Sequence, residues 1–265
     1  QGEFVMLGAM LAVVFQGLGL PLLLGFALAV VGVMAIGALV QRTTIYPARR
    51  APEVSLIMIT IGASITIRGL ALIIWGTTPY SLPEFSAGEP LRVLGAVVSR
   101  QRLWIMGAAA VVLLALYAFF EFTVIGKAVR ACAINRQTAE LVGINTQAMA
   151  LMVYAMGAGM SAVAGIVIAP LTLVTYDMGL GLGLKGFVVA IMGGMTNAPA
   201  AVIGGLLLGV VESFTAGLLT SGIKEGVAFV ALFAVLLART LPKLRLGPKL
   251  RLGPRVRLGP RRRRP

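Results

Sequence analysis

Apolar runs of about 20 residues recur from one end of this chain to the other, and they constrain its fold more than any other feature. Crossing the roughly 30 Å hydrocarbon core of a membrane takes about that many residues in an α-helix. A transmembrane β-barrel is built from alternating segments of about 10 residues, whereas these runs are continuously apolar. Because 58% of residues are hydrophobic and only 12% are charged, a soluble fold of this chain would lack enough polar residues to cover its apolar ones. We predict an all-α, polytopic transmembrane helical bundle.

About eight hydrophobic segments are expected. They cover residues 4–15, which is short for a span, then 18–40, 54–75, 103–122, 149–171, two pieces within 186–214, and 227–238. The 186–214 region is interrupted at 196–199, so it forms either two short helices in a hairpin or a re-entrant pair. Residues 1–240 are therefore assigned to a transmembrane domain and residues 241–265 to a tail.

The positive charge of the chain is concentrated in that tail. Ten of the 23 Lys and Arg residues lie from Lys243 onward, leaving 13 against 9 Asp and Glu elsewhere. The tail repeats KLRLGP, KLRLGP and RVRLGP before four arginines, and Pro and Gly in each repeat disfavour a helix. We expect a disordered arm that contacts anionic lipid headgroups. An accidental extension and a membrane-anchored lipid or nucleic-acid binder are the alternatives, although no nucleic-acid partner is expected.

Basic residues also cluster in two short loops, which indicates the orientation of the chain. These residues are Arg42, Arg49 and Arg50 in the first loop and Lys127, Arg130 and Arg136 in the second. Short loops rich in Lys and Arg stay in the cytoplasm, so both loops and, by alternation, the C-terminal tail are predicted to be cytoplasmic. Residues 77–102 then face the opposite side, although three arginines there weaken the contrast.

Several chemistries lack their usual residues. The chain has no histidine and a single cysteine, Cys132, which removes the commonest general base and metal ligand and any intrachain disulfide. There is no G-x-x-x-x-G-K-[ST] sequence to hold nucleotide phosphates. Gly181, Gly183 and Gly186 fit G-x-G-x-x-G, but membrane spans rather than a βαβ unit flank them. We expect no enzyme, no cofactor and no metal site.

The loop from Gly126 to Gln147 is the best candidate for a functional element of the chain. Its residues between Val129 and Val142 mix alanines with charged residues and favour a short amphipathic helix, which Gly143 ends. Such a helix, lying parallel to the membrane, presents Arg136 and Glu140 to the cytosol. An ordinary solvated loop is the alternative interpretation.

Three stretches give the chain a resemblance to a known family. They are GEFVMLGA, then AELVGIN followed by GAGMSAVAGIVIAPL, and GLKGFVVAIMGGMTNAPAAVIGGLLLGVVE. Over most of residues 1–240 the sequence resembles the membrane subunits of branched-chain amino acid ABC importers, the Liv-type permeases. The family carries a further apolar segment before GEFVMLGA, so we expect the first transmembrane helix to be missing here.

The resemblance implies partners and a site. The implied partners are ATP-binding cassette subunits, a second identical or homologous permease subunit, and a periplasmic or lipid-anchored substrate-binding protein in a bacterial inner membrane. ATP hydrolysis then belongs to a partner. The positions that match the family's docking loop for the ATPase are Ala139, Glu140, Gly143, Ile144 and Asn145, next to Arg136.

Small residues recur at every fourth position in two spans. They are Gly157, Ser161 and Gly165 in one span and Gly205 and Gly209 in another. This spacing puts small side chains on one helix face and permits close packing. The sequence does not decide among three roles for these residues: packing within the subunit, packing against a second permease subunit, or lining a translocation path.

Polar residues at membrane depth are candidates for the translocation path. Arg68 and Glu212 lie inside apolar segments, where an ionisable side chain is costly unless it faces protein or water. Snorkelling or pairing with a backbone carbonyl is the alternative for Arg68. Asn197 lies at the interruption, where exposed helix ends can contact substrate, although a plain turn explains it equally well. Lys185 lies near a predicted segment boundary, where an interfacial position is the default, and an outward-facing loop shared with Asp177 is the alternative.

The leading hypothesis is a permease subunit of an ABC importer for branched-chain or related amino acids. An importer for urea or short amides is an alternative within the family. A secondary transporter or channel is the alternative outside it, and it requires paired ionisable residues in the spans. Since only Arg68 and Glu212 are apparent in the spans, that alternative is disfavoured.

Overall fold

The computed structural model describes residues 1–49, 51–86, 91–93, 96–194, 198–218 and 230. The chain divides into two compact units, Gln1–Leu184 and Lys185–Pro265. In chain order the helices are α1 (Gly2–Gly17), α2 (Leu22–Val40), α3 (Glu53–Trp75), α4 (Arg100–Phe122), α5 (Val124–Ile134), α6 (Arg136–Leu141), α7 (Thr146–Ile168), α8 (Met178–Gly193) and α9 (Ala198–Leu218). A π-helical turn, Gln41–Ile45, extends α2.

Within the described residues, five helices are long and apolar enough to cross a membrane. They are Leu22–Ile45, Val54–Trp75, Arg100–Phe122, Thr146–Ile168 and Pro199–Gly217. The helices α1 and α8 are apolar but shorter, which agrees with the short first segment expected from the sequence. The all-α prediction is confirmed, and the predicted segments correspond to α1 to α4 and α7 to α9.

The core of the first unit is built around α7, which packs mainly on α1 and α2. Met6 and Met10 of α1, Val33 of α2 and Ile166 of α7 are fully buried there. The backbones approach closely because the facing residues are small. A Cβ atom built at Gly8 would lie 2.5 Å from Ala162 Cα. The short helix α1 is therefore enclosed by protein.

A buried glutamine joins α4 to this core. Gln101 is almost completely buried, and its Nε2 donates to the Val167 carbonyl of α7 at 2.8 Å. Its Oε1 accepts from the Phe85 backbone N–H at 3.3 Å. Both ends of the amide are thus paired, as a buried polar group requires. Most other large apolar side chains of α4 are exposed, which suits a surface that faces lipid.

The connection between α3 and α4 contains extended backbone that the sequence did not predict. Tyr80 and Val174 form an isolated antiparallel bridge, with N–H to carbonyl distances of 2.9 and 2.8 Å. Two short strands, β1 (Leu91–Val93) and β2 (Ala96–Val98), pair antiparallel with Leu91 opposite Val98. Strands of three residues are too short to show a periodic pattern in the sequence.

In the second unit, α9 runs antiparallel to the part of α8 that follows residue 184. Val188 and Leu208 are buried against each other's helix, and a Cβ atom at Gly193 would lie 2.5 Å from Ala201 Cα. Of the predicted interruption at 196–199, Ala198 and Pro199 begin α9, whereas Thr196 and Asn197 lie outside the described part of the chain. Nearly all of segment 227–238 and the tail also lie outside it. The predicted boundary at residue 240 therefore stays a prediction.

Candidate functional site

The loop between α4 and α7 is a folded element with a defined start. The Thr123 side chain caps α5 by accepting from the Gly126 N–H at 2.9 Å. A Cβ atom at Gly126 would lie 2.2 Å from the Phe119 carbonyl oxygen, so glycine permits α5 to turn back along the end of α4. The exposed pair Arg130 to Glu121, at 3.2 Å, also joins the two helices.

The second helix of the loop, α6, is held at both ends. The Asn135 side chain caps its start by accepting from the Thr138 N–H at 3.0 Å. At its end the Ile144 N–H donates to the Ala139 carbonyl at 3.0 Å and the Gly143 N–H to the Glu140 carbonyl at 3.1 Å. This is a Schellman motif, and Gly143 supplies the left-handed residue that it needs, with φ of 85°.

The sequence predicted one short helix that ends at Gly143, and the helix stop at Gly143 is confirmed. The difference lies at Asn135, which adopts an extended conformation with φ of −151° and divides the helical stretch into α5 and α6. The cap hydrogen bond explains this, since asparagine competes with a continuous helix for backbone donors. Asn145 then caps α7 by accepting from the Ala148 N–H at 3.0 Å. The loop therefore leads into α7 without a flexible linker.

Glu140 ties α6 to the start of α7. Its Oε1 accepts from Thr146 Oγ1 at 2.6 Å and from Arg136 Nε at 3.3 Å. The Thr146 hydrogen bond, followed by that of Arg136, lowers the pKa of the Glu140 carboxyl from its usual 4.5, and the positive charge of Arg49 acts in the same direction. Because Arg49 belongs to the other basic loop, both loops lie at the same end of the helices, as predicted. Val174 follows the opposite end of α7, so its partner Tyr80 lies at that opposite end.

The site residues predicted for this loop differ in accessibility. Arg136, Glu140, Gly143 and Asn145 are exposed and Ile144 is half-buried, whereas Ala139 is buried. Ala139 thus supports the loop from inside and is not available to a partner. No observation tests a docking role for any of these residues, so that role stays a prediction.

Three strongly exposed apolar side chains within residues 126–147 were missed. Ile134, Leu141 and Val142 are 87%, 86% and 71% exposed, and we call them the apolar patch. Large apolar residues in a polar loop, next to a helix stop, were the available signal in the sequence. These residues were interpreted as part of an amphipathic helix pattern, and such a pattern does not show which helix face the rest of the protein leaves exposed.

Arg68 has a partner that the sequence did not reveal. Its Nη2 lies 3.0 Å from Oε1 of Glu3 on α1, and Ser64 Oγ donates to the same oxygen at 2.7 Å. Glu3 is only 5% exposed. The sequence offered snorkelling or a backbone carbonyl as the structural alternative for Arg68, but the structure shows a buried ion pair between α1 and α3. Glu3 was overlooked because it lies at the edge of its apolar segment.

Lys185 and Glu212 form a second pair, within the second unit. Lys185 Nζ donates to Glu212 Oε1, joining α8 to α9. The alternative assignment of Lys185 to an outward-facing loop is therefore wrong, since it lies within α8. The statement that the spans offer only isolated ionisable residues is also wrong, because Arg68 and Glu212 each have a partner.

The small residues of α7 contact α1 of the same chain. A Cβ atom at Gly165 would lie 2.0 Å from the Val5 carbonyl oxygen, and Ser161 Oγ donates to Gln1 Oε1 at 2.9 Å. Gly157 faces the same Gln1 side chain. These contacts lie within one chain, and packing of the same small residues against a second permease subunit stays a prediction.

The other glycines behave differently. Gly205 faces Val189, with 3.3 Å from its built Cβ to Cγ1, whereas no atom of the described residues lies within 4 Å at Gly209. Packing at Gly209 stays a prediction. The G-x-G-x-x-G glycines Gly181, Gly183 and Gly186 all lie inside α8, so they do not form the strand-to-helix turn that binds dinucleotides.

Comparison with known proteins decides the family. The family described as "Branched-chain amino acid transport system / permease component" matches residues 1–238. The chain belongs to this permease family. The LivH high-affinity branched-chain amino acid transport system permease proteins of Escherichia coli K12 and Salmonella typhimurium are each 30% identical over 246 residues, covering 89% of this chain and 79% of theirs. BraD of Pseudomonas aeruginosa, a permease protein of the same description, is 28% identical over 253 residues, covering 90% and 82%.

No solved structure gives a significant match. The relatives are transport permease proteins rather than enzymes. Together with the five membrane-length helices of the described residues, family membership shows a multi-pass membrane permease. The pairing of Arg68 with Glu3 and of Glu212 with Lys185 removes the ground on which the sequence disfavoured a secondary transporter or channel.

Proposed function

We propose that this permease is the transmembrane subunit of an ABC importer that moves branched-chain or related amino acids across the inner membrane. ATP is hydrolysed by a partner subunit that docks on the loop formed by α5 and α6. Support for the substrate class comes from the relatives, which are named as branched-chain amino acid permeases. Urea and short amides remain the alternative cargo within this class.

The observation that carries the proposal is the apolar patch on a rigidly capped loop. Leu141 and Val142 lie at the end of α6, beside a Schellman motif that fixes their position. Exposed apolar side chains surrounded by polar ones are typical of protein contact sites. The patch lies outside the membrane-length helices, so contact with the lipid core does not account for it. A soluble partner subunit does.

The route by which motion passes from this loop into the membrane follows from the contacts. Glu140 and Thr146 join α6 to α7, and Asn145 caps α7 directly after the loop. Along α7, Gly165 brings the backbone of α1 into close contact. A movement of α6 should therefore displace α7 and α1 together, because the two helices are tightly packed and no flexible linker separates α6 from α7. Such coupled helix movement suits alternating access.

The remaining partners follow from the same proposal. A second permease subunit completes the translocation unit, and a periplasmic or lipid-anchored binding protein delivers the substrate to the end of the helices that carries Tyr80 and Val174. The side of the molecule that carries Arg49 and Glu140 is cytoplasmic, and so is the basic C-terminal tail, which contacts anionic lipids.

Replacing Leu141 by Glu tests the docking surface. The variant places a charge in the apolar patch without touching a buried contact, since Leu141 is almost fully exposed. We expect co-purification of the ATP-binding subunit and ATP-dependent leucine uptake to fall about tenfold or more, as for an interface residue that contributes over 1.4 kcal/mol. The matched control is Leu173→Glu, the same change at an exposed leucine beyond the other end of α7.

The control should leave co-purification of the ATP-binding subunit unchanged. If the Leu141→Glu permease co-purified with the ATP-binding subunit as well as the wild type does, with uptake intact, the subunit would have to dock elsewhere. Absence of ATP-dependent uptake in the wild type with its partners present would refute the function itself.

A further inference from the structure

The Glu3 and Arg68 pair has incomplete hydrogen bonding, and this is the feature of the fold that packing leaves unexplained. Glu3 Oε1 accepts from both Ser64 Oγ and Arg68 Nη2. The second carboxylate oxygen, Oε2, and Arg68 Nε are buried, yet neither has a hydrogen-bond partner among the described residues. Buried charged groups in native proteins are normally fully paired, because an unmade hydrogen bond there is costly. One unused acceptor and one unused donor therefore lie together at one site.

The two helices that carry the pair are held together differently from the rest of the core. At the α1 to α7 interface, Gly8 and Gly165 bring backbones into close contact. On α3, a Cβ atom built at Gly62 or Gly69 meets no atom of the described residues within 4 Å. The polar cluster is thus a contact between α3 and α1 that involves no close approach of backbones at these glycines. Its α3 residues lie on the same helix as Ala71, which is buried in the apolar core with Met6 and Met10.

We infer that Glu3, Ser64 and Arg68 form a binding site for the zwitterionic head group of an amino acid. Glu3 takes the α-ammonium group, with Oε2 as the free acceptor, and Arg68 takes the α-carboxylate through Nε and a terminal nitrogen. Ser64 holds the carboxylate of Glu3 in place. The inference rests on the proposed transport function and assigns the substrate contact within it.

Charge balance supports an exchange of partners at this site. Arg68 and Glu3 neutralise each other in this structure. A zwitterion has no net charge, so its entry between the two side chains pairs each charge with an opposite one and buries no net charge. The side chain of Arg68 keeps 24% exposure while that of Glu3 keeps 7%, which leaves Arg68 as the group that substrate reaches first. A ligand with only one of the two charges would leave a buried charge unpaired.

Binding of three related molecules to the full-length permease in lipid nanodiscs tests this assignment. L-leucine carries both charged groups, L-leucinamide lacks the carboxylate, and 4-methylpentanoate lacks the ammonium group. Isothermal titration calorimetry should show leucine binding about 10-fold to 100-fold tighter than either analogue, as expected for one lost charge-assisted hydrogen-bonded pair. The binding protein is left out, so its selectivity does not enter.

Two variants separate recognition from a structural role. Arg68→Gln should abolish the preference for leucine over leucinamide and keep the preference over 4-methylpentanoate, whereas Glu3→Gln should do the reverse. The double variant, Glu3→Gln with Arg68→Gln, leaves no unpaired buried charge and should remain folded while losing both preferences. Arg130→Gln, which removes a cation from an exposed pair, should change neither.

A purely structural pair would alter heat stability and yield but leave the two preferences as in the wild type, and that result overturns the assignment. So does a wild type that binds leucine no more tightly than the analogues. Leucine uptake with the partner subunits is measured in parallel. Uptake with unchanged preferences refutes the site alone, whereas absence of uptake refutes the proposed function.

Discussion

Replacing Gly165 by Ala tests whether α7 and α1 move as one body. A Cβ atom at this position would lie 2.0 Å from the Val5 carbonyl oxygen, 2.8 Å from Val5 C and 3.2 Å from Val5 Cα. These are backbone atoms of α1, so no rotamer change relieves the contact. Reaching an ordinary separation of about 3.5 Å requires the helices to move apart by about 1.5 Å.

The expected loss of stability follows from two opposing effects. Overpacking of a core costs about 1–3 kcal/mol, and the backbone contact puts Gly165→Ala at the upper end of that range. Alanine also favours the helix over glycine by about 1 kcal/mol. The net loss of about 2 kcal/mol corresponds to a fall in Tm of about 4–8 °C for a chain of this size.

Thermal unfolding of the detergent-purified permease, followed by circular dichroism, measures this change. Gly209→Ala is the matched control, because its added Cβ atom meets no described atom within 4 Å. It should keep or slightly raise Tm. If Gly165→Ala were as heat-stable as Gly209→Ala, the close contact of α1 and α7, and with it the proposed route of motion, would be wrong.

Three further outcomes are expected. Gly143→Val forces a β-branched residue to a φ of 85°, which costs about 1–2 kcal/mol and should lower amide-exchange protection in α6 and ATP-dependent uptake. Because the folded-state pKa of Glu140 is lowered from 4.5, its hydrogen bond with Thr146 should persist above pH 4.5 and be lost as the pH falls through the lowered value. Amide-exchange protection factors in α6 should fall over the same pH range. The Glu140→Gln variant should not show this pH dependence. Lys185→Met leaves Glu212 unpaired and should destabilise the permease by about 1–3 kcal/mol. The loss is smaller than for a fully buried pair because the Lys185 side chain is 31% exposed. Adding Glu212→Gln should restore Tm, and an unchanged low Tm would count against the ion pair.

The sequence predicted the helical architecture well because membrane spans depend on a local property. Apolar runs of sufficient length predicted α2, α3, α4, α7 and α9. The helix stop at Gly143 was also predictable, since a Schellman motif depends on residues within one turn. Each of these features is determined by neighbours in the chain.

Features that depend on distant residues were not predictable. Glu3 and Arg68 are 65 positions apart, and nothing in either segment indicates the other. The pair of Lys185 and Glu212 depends on how α8 and α9 align, which their apolar composition does not specify. The apolar patch of the loop was also missed, because residue types show which side chains are apolar but not which ones the fold leaves uncovered.

Contact between the apolar patch and the ATP-binding subunit is the central claim, and site-directed photocrosslinking tests it most directly. A Cys132→Ser background removes the single native cysteine, and Leu141→Cys or Leu173→Cys then carries a maleimide-linked benzophenone. The account predicts a crosslinked product with the ATP-binding subunit from Leu141→Cys and none from Leu173→Cys. Crosslinking from position 173 with none from position 141 would contradict it.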